Sequence, residues 1–546
     1  MSASSPPPEE TFPKLTEEQR ARIAAFARER RFADGEVLWE QGDCDRPLFV
    51  VLEGQITVLS DTDRFVTAHQ SGQFSGDVDL LSGRPTIVKG RATGETRVLE
   101  LPPERLRALV QTDPELSEIF LRAFILRRIA LQALGQGSIV LIGSRHSKGT
   151  LLLQEFLTRN GQPYAYLDVD RDPEVQKTLD SFSVGVDDVP VVICRRVRVL
   201  KKPTIEEVGE CLGLNRFDTG TVHDVVVVGA GPGGLAAAVY AASEGLDTVV
   251  LEANAPGGQA GSSSRIENYL GFPTGISGQE LASRALIQAE KFGTAIAVAR
   301  TAVRLSCEQR PYRLELAEGV SVRARTFIIA TGVQYRKPDL PNLARFEGVG
   351  VYYGATQIEA NLCEGGDVIV VGGGNSAGQA AVFLSSKVRH LHILVRGEGL
   401  AESMSRYLIR RIEETPNITL RTSTQIEALE GNGQLERVTW SDAAGSRTTV
   451  DVRHVFLMTG ADPNTAWLQG CVALDENGFV KTGQDLAPAD LDKATWPLAR
   501  PPLLFETSQP GVFAVGDVRA SSVKRVAAAV GEGSVCVQLV HRFLAE

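Results

Sequence analysis

Asp224-Val-Val-Val-Val-Gly229-Ala-Gly231-Pro-Gly233-Gly234 decides how this chain is read. After its first residue the run is apolar, as a buried parallel strand should be, and it breaks into glycines where a helix through Ala242 begins. The second strand, Thr248-Val-Val-Leu-Glu252, ends in an acid roughly 20 residues beyond the first glycine, the spacing of a dinucleotide-binding βαβ unit. Gly229, Gly231, Gly233 and Gly234 let the backbone approach a pyrophosphate at the helix N-terminus, and Glu252 is placed to accept from ribose hydroxyls.

A second unit starts at Asp367-Val-Ile-Val-Val371 and continues Gly372-Gly373-Gly374-Asn375-Ser376-Ala377-Gly378, opening a helix to Ser385. Two such units imply two dinucleotides, a flavin and a nicotinamide. Ala330-Thr331-Gly332 closes the first unit after the apolar run Phe327–Ile329. Phe513-Ala-Val-Gly516-Asp517 places an acid where a flavin ribityl chain would run.

With Gly257-Gly258-Gln259 and Ile266-Glu267-Asn268, these motifs resemble, in order, the low-molecular-weight thioredoxin reductase family over residues 222–546. The resemblance implies an FAD domain in two pieces, 222–336 and 463–546, an NAD(P)H domain at 337–462 between them, and a homodimer. It assigns Gly258, Gln259, Asn268, Thr331, Gly332, Gly516 and Asp517 to FAD. It assigns Gly372, Gly374, Asn375, Ser376, Arg396, Ser405 and Arg406 to the nicotinamide. The family carries Cys-Ala-Thr-Cys just before the second fingerprint, where this chain reads Gly354-Ala355-Thr356-Gln357. Both redox cysteines are therefore replaced, by Gly354 and Gln357, and this position holds no catalytic residue. NADPH-using relatives have His-Arg-Arg after the second strand of that domain; here the strand ends Leu394-Val395-Arg396-Gly397, with Arg406, Arg410 and Arg411 following. A guanidinium suits a 2′-phosphate and Val395 does not repel it, so NADPH is expected over NADH.

Towards the N-terminus, residues 137–214 alternate strands (138–142, 164–169, 189–194) and helices (148–160, 173–181, 204–212). This order resembles a thioredoxin or glutaredoxin fold, with Val189-Pro190 at the family's cis-proline. The turn that should hold Cys-x-x-Cys reads Gly143-Ser144-Arg145-His146-Ser147, so disulfide exchange there has no attacking thiolate. From Phe32 to about Leu101, β-branched runs punctuated by glycine predict a small barrel flanked by helices at 17–30 and 114–134. Phe32-Ala-Asp-Gly-Glu-Val-Leu, Gln41-Gly42-Asp43 and Phe49–Gly54 resemble the cyclic-nucleotide-binding family, which places a domain at 15–134. In that resemblance Gly76 and Asp77 stand where the family has Gly and a ribose-binding Glu. Thr86 stands where it has its phosphate-gripping Arg, and Arg84 is the substitute cation. Residues 1–14 read as a disordered lead.

The fold expected is thus multidomain: a β-barrel with flanking helices, a thioredoxin-like α/β domain, and two nested Rossmann-like α/β domains. A chain of 546 residues has room for about three to five domains. A net charge of −10 and no helix-turn-helix pattern after the barrel argue against a nucleic-acid partner. No cationic start precedes an apolar core, and no window of ~18 apolar residues occurs, so a cytoplasmic protein without a membrane span is expected. The seven cysteines show no C-x-x-C pair and are expected to be free thiols with no metal site. The leading function is hydride transfer from NAD(P)H to FAD and on to ferredoxin, flavodoxin, quinone or a thioredoxin-type protein. The alternative is a sensor of redox state or cyclic nucleotide that docks partners.

Overall fold

The computed structural model describes residues 8–60, 62–133, 139–171, 175, 185, 188–194, 198–317 and 319–546. The N-terminal strands β1 (Arg28–Phe32), β2 (Val37–Trp39), β3 (Leu48–Leu59), β4 (Phe65–Gln70) and β5 (Lys89–Leu101) form one antiparallel sheet around β5 and β3. Trp39 stacks on Phe49 at 5.9 Å, and the helix Pro114–Ala133 lays Phe120 and Phe124 against Phe74. The helix expected at 17–30 stops at Ala24, because Arg28 and Arg30 are drawn into β1 by the buried carboxylate of Glu100 across the sheet. The lead read as disordered is structured from Pro8: Pro8–Thr11 is a helical turn, and Arg127 Nε donates to Thr11 O at 2.9 Å.

Next, β6 (Ile139–Gly143), β7 (Tyr164–Asp168), β8 (Val191–Cys194) and β9 (Arg198–Lys201) pair in the order β7-β6-β8-β9, with β6 and β7 parallel and the others antiparallel. The Val189-Pro190 peptide is cis. β9 is not foreshadowed in the sequence, and the helix expected at 173–181 lies outside the described residues save Val175. Helix Ile205–Leu212 buries Val208 and Leu212 in the same core as Val298 and Ala299 of the following sheet.

That sheet joins β10 (Val222–Val228), β11 (Thr248–Glu252), β12 (Ala295–Val298), β13 (Ala302–Ser306), β14 (Tyr312–Leu316) and β15 (Ser321–Ile329) in the order β12-β11-β10-β15-β14-β13. β16 (Val333–Tyr335) leaves it for a second parallel sheet containing β17 (Val351–Tyr352), β18 (Asp367–Val371), β19 (His390–Leu394) and β20 (Ile418–Arg421). A three-stranded antiparallel sheet, β21 (Gln425–Glu430), β22 (Arg437–Ser441) and β23 (Arg447–Val450), lies beside it; β24 (His454–Leu457) then returns between β17 and β18. β25 (Ala461–Pro463) pairs antiparallel with β16, and β26 (Val512–Ala514) adds parallel to β15 in the first sheet. Helix Val526–Leu544 packs on helix Pro232–Ser243 so closely that a Cβ on Gly533 would stand 3.0 Å from the Ala237 nitrogen.

Four of the cysteines are paired, contrary to the expectation of free thiols: Cys194 with Cys211 and Cys307 with Cys471, at Cα separations of 6.6 and 5.7 Å. Chain spacing conceals both, since each pair is brought together by tertiary packing. Cys44, Cys363 and Cys536 are free.

Glu506 is fully buried below β26, accepting from Arg500 Nη1 at 2.6 Å and from the amides of Leu503 and Gly511 at 2.9 Å. Glu506→Ala strands these donors and should destabilise the protein by about 3 kcal/mol. A guanidinium chloride denaturation midpoint left unchanged in the variant would contradict this.

Candidate functional site

The first fingerprint leaves β10 at Gly229. Its φ is +105°, and a Cβ there would stand 2.7 Å from the Ala330 carbonyl carbon, so both the conformation and the close approach demand glycine. Gly231 caps helix Pro232–Ser243 with no side chain on its amides and open space before it. Free helix N-terminal N–H groups and an approachable backbone are what a pyrophosphate requires. Glu252 ends β11 beside this turn. Its carboxylate accepts from Ala230 N at 2.7 Å and from Asn254 N and Ala255 N at 2.9 and 3.2 Å, leaving lone-pair capacity for a ligand hydroxyl.

Other parts of the chain converge here. Gly257 N donates to Ala230 O at 2.7 Å, and Gln259 Nε2 to Val333 O at 2.7 Å, so Gly258 and Gln259 lie between the fingerprint and β16. Thr331 and Asn464 exchange hydrogen bonds of 2.8 and 2.9 Å, and Asn464 N donates to Gly332 O. Gly516 N donates to Glu532 Oε2 at 2.7 Å, while burial pushes the Asp517 carboxyl up and Lys524 opposes the shift. Asn268 is exposed on a loop, and its neighbour Glu267 pairs at 2.6 Å with Arg411 on helix Arg406–Glu414. Asn464 and Glu532, which tie the turns together, escape sequence reasoning because neither stands in a recognisable motif.

The second fingerprint repeats the design. Gly372 has φ +141°, and Gly374 caps helix Asn375–Ser385 without a side-chain partner. Asn375 Oδ1 accepts from Ser405 N at 2.8 Å, linking this turn to helix Arg406–Glu414, while Ser376 bonds the Tyr335 hydroxyl. Arg396 and Arg406 are exposed. Arg411, by contrast, is committed to Glu267.

No sulfur stands at 354–357. Thr356 and Glu359 form a capping box for helix Gln357–Leu362, and Gln357 bonds Asn361 at 2.7 Å. Leu151, on helix Lys148–Arg159, packs against the cluster holding Tyr352, Ala355 and Ala360. At its start this helix pairs Lys148 with Glu347 at 2.9 Å; at its end Arg159 Nη2 donates to Gly258 O at 2.7 Å and Asn160 Nδ2 to Asn254 O at 3.0 Å. It therefore touches both dinucleotide-type halves.

In the N-terminal domain, Asp77 and Asp79 are buried among Arg46 and Arg128, with Arg128–Asp79 at 2.9 Å and Arg46 and Arg128 each 3.6 Å from Asp77. Burial, with Asp79 beside it, pushes the Asp77 carboxyl up. Gly76 O accepts from Arg127 Nη1 at 2.8 Å. Thr86 is buried and donates to Val88 O, and Arg84 pairs with the buried Glu290 on helix Gly278–Lys291 at 3.1 Å. Beside Asp77, the Arg127-Arg128 doublet is a further sequence signal of this charge network, and it is not part of the family resemblance.

Comparison with known proteins fits this geometry. The model of the pyridine nucleotide-disulphide oxidoreductases matches residues 223–533. The chain belongs to that family. A cyclic nucleotide-binding domain model matches residues 29–113. The oxidoreductase half is 32% identical to a thioredoxin reductase of Mycolicibacterium smegmatis over 60% of this chain and 98% of that one. It is 31% identical to the NADPH-dependent thioredoxin reductase 3 of Arabidopsis thaliana over 59% and 58%. It is 30% identical to an NADH dehydrogenase of Bacillus subtilis over 61% of each. The solved thioredoxin reductase of Lactococcus lactis (FR conformation) superposes with a TM-score of 0.53 at 26% identity, over 59% of this chain and 99% of that one. This pyridine nucleotide-disulphide oxidoreductase is thus a thioredoxin reductase-like flavoprotein with an N-terminal cyclic nucleotide-binding domain, and the family implies FAD and NAD(P)H. Among its described residues no helix is long and apolar enough to cross a membrane.

Two outcomes follow. Burial pushes the Cys363 thiol up to about 11, and Cys536 higher still, while Cys44 is half-exposed. Iodoacetamide at pH 8 should therefore label Cys44 well before Cys363 or Cys536, as read by peptide mass spectrometry. Burial alone would raise the Glu347 carboxyl, but hydrogen bonds from Lys337, Lys148 and Tyr353 outweigh it and hold the value at about 2. Its stabilisation is complete above the ordinary carboxylate range and is lost as pH falls from there through about 2. Between pH 5 and 2.5, Glu347→Gln should lose less stability than the unaltered protein; equal losses in chemical denaturation would refute this.

Proposed function

We propose that the chain is an NAD(P)H-dependent FAD oxidoreductase that delivers electrons to an acceptor other than a disulfide at its own 354–357 position. The observation that carries this is the helix cap at Thr356–Glu359, where relatives of this scaffold keep a redox pair; Leu151 packs against the neighbouring cluster of Ala355 and Ala360. FAD bound at the first fingerprint would accept a hydride from the nicotinamide. The residues that would hold it are Gly229, Gly231, Gly233, Gly234, Glu252, Gly258, Gln259, Asn268, Thr331, Gly332, Gly516 and Asp517. The bare N-terminus of helix Pro232–Ser243 would bind its pyrophosphate, and Glu252 its ribose.

Gly372, Gly374, Asn375, Ser376, Arg396, Ser405 and Arg406 would hold the nicotinamide dinucleotide. The exposed guanidinia of Arg396 and Arg406 support NADPH over NADH. The acceptor is a ferredoxin, flavodoxin, quinone or thioredoxin-type protein, and the protein works as a homodimer, both by analogy with its family. The sheet 139–201, with its cysteine-free Ser144–Ser147 turn, is read as a thioredoxin-like module without redox chemistry. A sensor reading is favoured by one observation: Arg84 joins the barrel cassette to Glu290 on the FAD side, a route by which a cyclic nucleotide held near Gly76, Asp77 and Thr86 could act on the flavin half.

Anaerobic titration of the flavin-loaded protein tests both. NADPH should bleach the flavin absorbance with about one equivalent per flavin, and NADH less readily. A second equivalent consumed would mean a working disulfide, and failure of both nucleotides would leave the sensor. Gly229→Val should purify without flavin.

A further inference from the structure

A cavity of about 470 Å³, within the range of small-ligand sites, opens beside the Cys307–Cys471 disulfide. Arg304, Arg310, Tyr312 and Pro510 line it together with both cysteines. None of the residues proposed above for FAD or the nicotinamide takes part in it. The two sulfurs differ in access: Cys471 is buried, 7% exposed, whereas Cys307 is only half-buried. Arg310 is placed rather than free. Its guanidinium lies 5.0 Å over the Phe543 ring and 5.7 Å over that of Tyr312, and it donates to Pro510 O at 3.4 Å. Arg304 faces Glu308 at 3.8 Å with most of its side chain exposed. The lining thus presents two guanidinia to one carboxylate around an accessible sulfur. Guanidinium forks recognise carboxylates, and cations beside a sulfur favour thiolates.

We propose that Cys307–Cys471 is a thiol-exchange site for an anionic, tripeptide-sized thiol that binds in this cavity. The incoming thiolate attacks Cys307 Sγ, forming a mixed disulfide there as the Cys307–Cys471 bond breaks and Cys471 leaves as thiolate. A second thiolate attacks the outer sulfur of the mixed disulfide and releases Cys307 as thiolate. The two cysteine thiolates take up the protons lost by the two thiols. Two thiols are oxidised to one free disulfide, and the protein disulfide is reduced to two thiols. The exchange opens the link between the β13–β14 connection and the segment after Leu468, which are joined here across 164 residues of chain.

The test uses full-length protein prepared without reductant, incubated with glutathione or with cysteamine, a cationic thiol, at equal thiolate concentration. After acid quenching, non-reducing peptide mass spectrometry locates the adduct. A glutathione adduct on Cys307 with Cys471 as free thiol is expected, forming about tenfold faster than the cysteamine adduct. The advantage should fall to about one in Arg310→Gln. Because that change also removes a ring contact, the same ratio is measured in the unaltered protein at rising ionic strength, where it should shrink. Free Cys307 and Cys471 before treatment, an adduct mainly on Cys471, equal rates for the two thiols, or a salt-independent ratio would each overturn the proposal.

Discussion

The backbone contact between Gly533 and the Gly233–Ala237 turn is the constraint on which the flavoprotein half depends. Helix Pro232–Ser243 follows the first strand of that half, and helix Val526–Leu544 ends the chain. Any side chain at Gly533 would push them apart, and with them the Gly516–Val518 turn from the Gly229–Gly234 loop. Burial of β10, β15 and β26 against these helices gives the packing its driving force. The glycines set how near the two ends may come. The second parallel sheet is inserted into this half, and the antiparallel ribbon of β16 and β25 joins the chain where it leaves and returns.

Much of this is legible in the sequence because the relevant signals are local. An apolar strand, a glycine turn, a helix and a terminal acid are contiguous at 224–252, and the structure puts them in that order. The parallel fingerprint at 367–385 is equally plain. What escapes is what depends on distant partners. Helix Glu17–Ala24 is shorter than its pattern because Glu100 recruits Arg28. Cys307 and Cys471 meet only after the sheet has formed. The roles of Asn464 and Glu532 lie in the turns they bond, so neither residue type nor spacing marks them.

The N-terminal domain departs from its resemblance in where its charges go. Arg84, the cation nearest the cassette in sequence, is engaged by Glu290, and the cassette's own Asp77 is met by Arg46 and Arg128. Four buried side chains of opposite sign, Arg46, Asp77, Asp79 and Arg128, hold one another in place. Such clusters specify an arrangement more than they stabilise it, because desolvation offsets most of the Coulombic gain.

Helix Lys148–Arg159 has a consequence for competition. Its Leu151 packs against the cluster holding Tyr352, Ala355 and Ala360, and its domain is joined to the flavoprotein half through residues 213–221, the connection into β10. A tethered occupant acts at an effective concentration of roughly millimolar, whatever the protein concentration in solution. A free protein that bound the same face with the same intrinsic affinity would be held off unless its own concentration approached the tether's. Access to the face is thus set by connectivity as well as by shape.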